Sequence, residues 1–166
     1  MVATSLDSLE FLKENYPSAE SNIGYLRKRG CTVVHEVDAT DDLDLHPLVN
    51  LYERQYDRII FNFPLAGFFH ESRKEILKRN RKLVRLFMEG ARHLIAYDGE
   101  IHITHKTSAF YREWNIENLA KQSGLRLIED VEFKLSHYRG YNNKYGFGGN
   151  ENFNCYPSRT YKFRLK

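Results

Sequence analysis

Arg58-Ile-Ile-Phe61 places three large apolar residues in a row, and Asn62-Phe-Pro-Leu-Ala-Gly67 follows without a break. A run so short and so continuous is what a strand buried on both faces of a parallel sheet requires. The stretch that follows reads as a helix. Ser72-Arg-Lys-Glu75 has the capping-box pattern, in which each side chain satisfies an otherwise unpaired amide of the first turn. Ile76, Leu77, Leu83, Val84, Phe87, Met88 and Ala91 then recur at helical spacing and predict one stripe against a core.

Outward from this strand and helix the segments keep alternating in type, and the fold class is α/β. Met1–Thr4 is a short apolar piece, Ser8–Tyr16 and Ile23–Arg29 read as helices, and Cys31–Val37 is strand-like. Asp41–Glu53 is acidic and reads as a loop or weak helix. Asp98-Gly99 predicts a turn into the strand Glu100–His105. Trp114–Ser123 is helical and stops at Gly124. Leu125–Phe133 and Thr160–Leu165 are strands, separated by an irregular stretch rich in Gly, Asn and Tyr. A loop of that length in a compact domain is commonly functional or disordered.

The 166 residues are one domain's worth, so 1–166 is read as a single domain. Apolar residues at 42% and charged residues at 28% exclude a disordered chain. No apolar run is long enough to span a bilayer, and the first residues lack a signal-peptide pattern, so the expected compartment is intracellular. Cys31 and Cys155 are too few for a disulfide framework. His102 and His105 have metal-like chemistry, but on a strand an odd spacing sends them to opposite faces, and no metal site is expected. Gly146-Phe-Gly148-Gly149 follows no strand and opens no helix, so it is not a dinucleotide fingerprint.

The net charge of +3 hides a division. Residues 1–57 carry eleven acids and five bases, whereas residues 58–166 carry eleven acids and twenty bases. With 11 Tyr, 11 Phe and a Trp interleaved, the basic part suits nucleic acid, because cations neutralise phosphates while rings stack on unpaired bases. A solvated helix face and core aromatics are the competing reading.

Three features carry candidate chemistry. Asp7 ends an apolar strand-like segment, where an acid can accept hydrogen bonds from ribose hydroxyls; it could equally cap the helix that starts at Ser8. Asp38-Ala39-Thr40 ends the next strand and is placed to contact an adenine ring. Asn62-Phe63-Pro64 lies at the carboxyl end of a strand, in the crevice where open α/β sheets bind ligand. It resembles the Asn-Pro-Pro-aromatic loop of methyltransferases that act on ring or amino nitrogens. There an Asn carbonyl and a backbone carbonyl accept from the target N–H while a ring stacks on the base. A structural turn is the competing reading.

Several stretches, in order, bring a family into view. They are Thr4-Ser-Leu-Asp7, Tyr56-Asp-Arg-Ile-Ile-Phe-Asn-Phe-Pro64 with Ala66-Gly67, Gly99-Glu-Ile-His-Ile-Thr-His-Lys-Thr107, Trp114-Asn-Ile116, Tyr138-Arg-Gly-Tyr-Asn-Asn-Lys144 and the closing Tyr161-Lys-Phe163. The chain resembles the eukaryotic rRNA (uridine-N3) methyltransferase-like family, a branch of the Rossmann-like class I S-adenosylmethionine-dependent methyltransferases. It departs at Leu65, where that family usually has His, at Arg139 in place of Pro, and at Tyr145 in place of a base.

The resemblance implies a mostly parallel sheet with an antiparallel C-terminal strand, S-adenosylmethionine as cofactor, and methyl transfer to uridine N3 in large-subunit rRNA. Asn62 and the Pro64 carbonyl would orient the base, Phe63 or Phe68 would stack on it, and His105 would accept the N3 proton. Asp7 would hold the cofactor ribose, with Asp38, Ala39 and Thr40 near its adenine. Lys106, Tyr141, Asn142, Asn143 and Lys144 would hold RNA, in nucleolus or cytoplasm. A non-catalytic RNA- or partner-binding relic, and a methyltransferase for a small molecule or protein, are the alternatives.

The family also opens with a strand and a Gly-x-Gly loop, and this chain is expected to lack that first strand and helix. Their position is central, between the strands ending near Asp7 and at Phe61. Five or six buried side chains there contribute on the order of 10 kcal/mol gross, against about 5–15 kcal/mol for a whole domain. The sheet is therefore expected to re-pair across the position, or to be covered there by self-association or a partner chain, or to be poorly stable.

Overall fold

The computed structural model describes residues 1–40, 55–67 and 70–166. The expected acidic loop Asp41–Glu53 and the candidate ring of Phe68 lie outside the described residues. The chain forms two compact units, Met1–Asn50 with Asn142–Phe153, and Leu51–Tyr141 with Asn154–Lys166.

The first unit pairs β1 (Val2–Thr4) with β2 (Thr32–Val34) in parallel, with Ala3 opposite Val33. Between them run α1 (Leu9–Asn15) and α2 (Ala19–Lys28). Ser8 caps α1, its hydroxyl accepting from the Phe11 amide at 3.2 Å. Gly30, at φ +75°, closes the end of α2 in a conformation that costs a side-chain-bearing residue more. The strand expected over Cys31–Val37 is shorter, since pairing with a three-residue β1 leaves nothing to extend it.

The long Gly- and Asn-rich segment is ordered within this unit. The Tyr16 hydroxyl, from the end of α1, donates to the Tyr145 carbonyl at 2.8 Å and accepts from the Gly148 amide at 3.2 Å. Gly148 sits so close to Asn15 that a Cβ there would stand 2.9 Å from its Oδ1.

In the second unit four strands run in the order β3 (Tyr56–Asn62), β4 (Ile95–Lys106), β6 (Ser158–Leu165), β5 (Leu125–Glu132). β3 and β4 are parallel, and β6 is antiparallel to both of its neighbours. α3 (Arg73–Leu94) lays Phe87 on Phe61 of β3, ring centroids 4.8 Å apart. Ser72 caps it by accepting from the Glu75 amide at 3.3 Å, as the capping-box pattern predicts. Its buried stripe is Asn80, Val84, Phe87, Met88, Ala91 and Leu94, so the face begins with an amide where Ile76 and Leu77 were expected. α4 (Ala109–Arg112) and α5 (Ile116–Gln122) follow β4 and bring in Trp114, which is fully buried.

The other face of this sheet is charged. Glu100 meets His102 at 2.9 Å, Arg164 at 2.7 Å and Arg58 at 3.7 Å. The hydrogen bonds from His102 and Arg164 hold its carboxyl down to about 2, against the burial that would raise it. β3 is a strand as expected but is not buried on both faces: it forms one edge of the sheet, and Ile60, on the charged face with Glu100 and His102, is 58% exposed. β1 and β3, the strands expected to flank the central position, belong to different sheets.

Asp98-Gly99 is not the turn expected of it. β4 runs through it, and the pairing jumps from Tyr56–Ile95 to Arg58–Glu100, so a bulge absorbs the extra residues. Gly99 is there because the β3 backbone comes close. A Cβ would lie 2.8 Å from the Tyr56 carbonyl oxygen and 2.8 Å from Cγ1 of Ile95. Gly99→Ala is therefore expected to destabilise the fold by about 1–3 kcal/mol through overpacking, read as a lowered urea midpoint at unchanged slope. A midpoint equal to wild type would show that the bulge relaxes freely.

Candidate active site at the carboxyl ends of the strands

The ladder between β3 and β4 runs one step past the end of β3. Asn62 lies opposite Thr104, and the Phe63 amide then donates to the Thr104 carbonyl at 2.8 Å. Thr104 is held in turn by its hydroxyl contact with Thr160 of β6 at 3.0 Å. Pro64 cannot continue the pairing, because it has no amide hydrogen.

Phe63 is left with φ +52°. A bulky residue rarely adopts that conformation, and a following proline disfavours helical geometry further. Backbone strain of this kind costs on the order of 1–3 kcal/mol and persists only where neighbours over-determine it. Here the Thr104 carbonyl fixes one side, and the Phe63 ring stands edge-on to Phe133, centroids 5.3 Å apart. The far side of the loop is held by Asn80 of α3. Its Oδ1 accepts from the Ala66 amide at 2.9 Å while its Nδ2 donates to the Ile76 carbonyl at 2.8 Å. Asn80 is 1% exposed. Sequence reading missed it; the signal was a lone amide in register with the apolar stripe of α3.

The result is a loop whose recognition groups are spare. The Asn62 side chain is exposed and forms no hydrogen bond among the described residues, and the buried Pro64 offers a carbonyl equally uncommitted there. A carboxamide presents one acceptor and two donors in a plane, which matches an imide or amide edge of a base.

His105 is also near the end of β4, but strand alternation turns its ring to the reverse face from Thr104 and Asn62. It is 3% exposed, caged by Trp114 at 4.5 Å and Tyr111 at 5.6 Å, and its Nε2 hydrogen-bonds the Tyr111 carbonyl at 3.1 Å. Burial, partly offset by that hydrogen bond, pushes its pKa down to about 4. The ring is therefore neutral near pH 7. Because a carbonyl only accepts, Nε2 carries the proton and Nδ1 keeps a lone pair. A cleft of about 250 Å³ opens beside it, lined by Lys106, Tyr111, Arg112, Glu117 and Tyr161 among others. Lys106 Nζ lies 5.0 Å from the Tyr111 ring centre, a cation over a π face.

Of the residues expected to hold RNA, Tyr141 is half-buried, and burial and then Cys155 push its phenol up. In the first unit, Asn142 and Lys144 are exposed, and Lys144 Nζ reaches the Asn150 carbonyl at 2.6 Å. Asn143 departs from expectation. It is 5% exposed, and its amide donates to the Phe153 carbonyl, so it closes the loop from inside.

The cofactor residues divide as well. Ser8, not Asp7, caps α1, so of the two roles open to Asp7 the cap is taken. Asp7 is half-buried just past β1, and its carboxylate meets no partner among the described residues, while its carbonyl accepts from the Ser5 hydroxyl at 2.9 Å. Two free carboxylate oxygens fit a vicinal diol. Asp38 is already engaged. Its Oδ1 accepts from both the amide and the hydroxyl of Thr40, each at 2.8 Å, in a turn that leaves Ala39 half-buried.

Comparison with known proteins identifies the family and the fold. Residues 1–145 match a family model described as BMT5-like, rRNA (uridine-N3-)-methyltransferase BTM5-like. An uncharacterized protein of Arabidopsis thaliana, At4g26485, is 42% identical over 98% of this chain and 79% of its own length. Heavy metal-associated isoprenylated plant protein 41, also of Arabidopsis thaliana, is 42% identical over 98% of this chain, which spans about a third (32%) of that protein. Among solved structures, the glycopeptide N-methyltransferase MtfA complexed with sinefungin aligns with a TM-score of 0.57 at 9% identity, over 99% of this chain and 76% of that one. At that identity the likeness speaks for the fold, which is the Rossmann-like fold of class I methyltransferases. No helix among the described residues is long and apolar enough to cross a membrane. The chain belongs to the BMT5-like family.

Proposed function

We propose that this chain methylates N3 of a uridine in large-subunit rRNA, with S-adenosylmethionine as methyl donor. The observation that carries the reading is an Asn62 amide and a Pro64 carbonyl, both uncommitted among the described residues, beside a strained Phe63. The uracil imide offers an N–H between two carbonyl oxygens. Asn62 Oδ1, with the Pro64 carbonyl, accepts from that N–H, and Asn62 Nδ2 donates to a flanking oxygen. Phe63 bounds the base with its ring. The two acceptors act by orientation, and the Nδ2 donor stabilises the negative charge that develops on the flanking imide oxygen.

When bound, S-adenosylmethionine supplies an electrophilic methyl group on its sulfonium. Asp7 is the residue to hold its ribose hydroxyls, with Asp38, Ala39 and Thr40 beside the adenine. The N3 proton has to leave as the methyl arrives. It leaves to solvent: His105, expected to accept it, is turned to the reverse face and, with its pKa pushed down to about 4, takes up no proton near pH 7. Lys106 and Lys144 neutralise phosphate, with Tyr141 and Asn142 alongside. The expected setting is the nucleolus or cytoplasm.

The reading is tested by titrating S-adenosylmethionine into the folded protein by calorimetry and by mass analysis of nucleosides from treated rRNA. Asp7→Asn is expected to weaken cofactor binding by roughly tenfold to a hundredfold, the worth of hydrogen bonds to a charged group. Asn62→Ala should leave cofactor affinity intact and slow methylation by about 10²–10³. A folded wild-type protein without cofactor affinity below millimolar would instead support the non-catalytic relic.

The state of His105 has its own test. Above pH about 6.5 it is neutral both folded and unfolded. Between 6.5 and about 4 only the unfolded chain takes the proton, so stability falls with acid across that window and levels off below it. The full loss is on the order of 3 kcal/mol. His105→Gln should flatten this part of the urea-midpoint profile; a slope identical to wild type would place the titration elsewhere.

A further inference from the structure

The Phe63 ring does not end the aromatic contacts of the second unit; it begins a ladder. Phe63 stands edge-on to Phe133 at 5.3 Å, and Phe133, 3% exposed, stacks on Tyr138 at 5.3 Å with only 15° between the planes. Tyr141 supports both from the side, 6.4 Å from Phe133 and 6.5 Å from Tyr138. The outermost ring, Tyr138, is 50% exposed.

Its backbone is fixed on both sides. The Tyr138 amide donates to the Leu135 carbonyl at 3.0 Å, closing the short helical turn Leu135–His137. The Tyr141 amide donates to the Tyr138 carbonyl at 3.0 Å, closing a turn over Tyr138–Tyr141 in which Gly140 has φ +82°. Left-handed glycine at the third position is the requirement of a type II turn, which favours proline at the second but accepts other residues. Arg139 occupies that second position, so the departure from the Tyr-Pro-Gly-Tyr pattern keeps the turn and adds an exposed cation beside the ring. Lys134 and His137 are exposed nearby in sequence, and no acid occurs from Phe133 to Asn150.

We infer that Tyr138 is a stacking platform for an unpaired base of the RNA strand adjacent to the target nucleotide, with Arg139 on the phosphate. An exposed ring backed by a buried one, with the exposed Arg139 beside it while Lys134 is paired with Glu132 at 3.3 Å, matches single-stranded nucleic acid, whose bases each offer a π face and whose backbone is anionic. It fits an apolar protein segment poorly, since nothing there compensates the exposed Arg139. The ladder ties platform and loop together: two ring contacts separate Tyr138 from Phe63. The inference rests on the proposed RNA substrate.

The test is fluorescence anisotropy of a labelled six-nucleotide oligouridine with the full chain, over a range of salt. Tyr138→Ala should weaken binding roughly tenfold to a hundredfold, the affinity equivalent of one lost base stack, with the salt slope unchanged because no phosphate contact is lost. Tyr138→Phe, which keeps the ring, should bind as wild type. Arg139→Gln should lower the slope by about 0.7, one phosphate on a single strand. Wild-type affinity in Tyr138→Ala would overturn the inference, as would an equal loss in Tyr138→Phe or no oligouridine binding by the wild type. Because Tyr138→Phe retains the packing, it keeps the comparison valid even where the Ala variant is less stable. Cofactor calorimetry in parallel separates the two readings: loss of stacking with no cofactor binding sinks the enzyme, and unchanged RNA binding with active methylation sinks only the platform.

Discussion

The hydrogen bond from the Phe63 amide to the Thr104 carbonyl is the constraint on which the second unit turns. It prolongs the parallel β3–β4 ladder by one residue into a segment where proline stops any further pairing. Everything peculiar about the loop follows. Phe63 is driven to positive φ, its ring is thrown against Phe133, and the Asn62 side chain is left at the sheet's end with no hydrogen-bond partner among the described residues. The strain is tolerable because both neighbours are rigid: Thr104 is pinned to Thr160, and the loop's exit is pinned to Asn80.

Positioning of the loop is thus done by buried polar groups, which are costly to leave unsatisfied and so give one geometry a clear advantage. Asn80 is the plainest case. It interrupts an apolar stripe at some cost to packing, yet both ends of its amide are used, one by its own helix and one by the loop. His105, on the face of the sheet that α3 also covers, is fixed differently, by aromatic walls and a single carbonyl, and that dry setting is what keeps it uncharged.

Sequence reading went furthest where the local pattern and the tertiary demand coincide. The capping box at Ser72, the apolar period of α3 and the run before Asn62 each specify an element that the sheet also needs. Asp98-Gly99 shows the opposite. Its turn chemistry is sound locally, but β3 pairs across it, and the glycine serves close backbone approach instead of a turn. Asn143 was expected to hold RNA because the resemblance runs through Tyr138–Lys144; only the packing of that loop reveals an interior clamp.

What the sequence by itself determined is the order and type of the elements and the place of the Asn-Phe-Pro loop, because periodicity, caps and proline act within a few residues. Which candidate side chains are free was decided by tertiary structure alone. Asp7 and Asp38 look alike in sequence, yet Ser8 takes the cap and leaves Asp7 open, whereas Thr40 occupies Asp38. Likewise Tyr138 is marked out among the described tyrosines by an exposed ring stacked on a buried Phe133. Hydrogen-bond satisfaction and ring stacking depend on partners brought from elsewhere in the chain, and no local pattern encodes them.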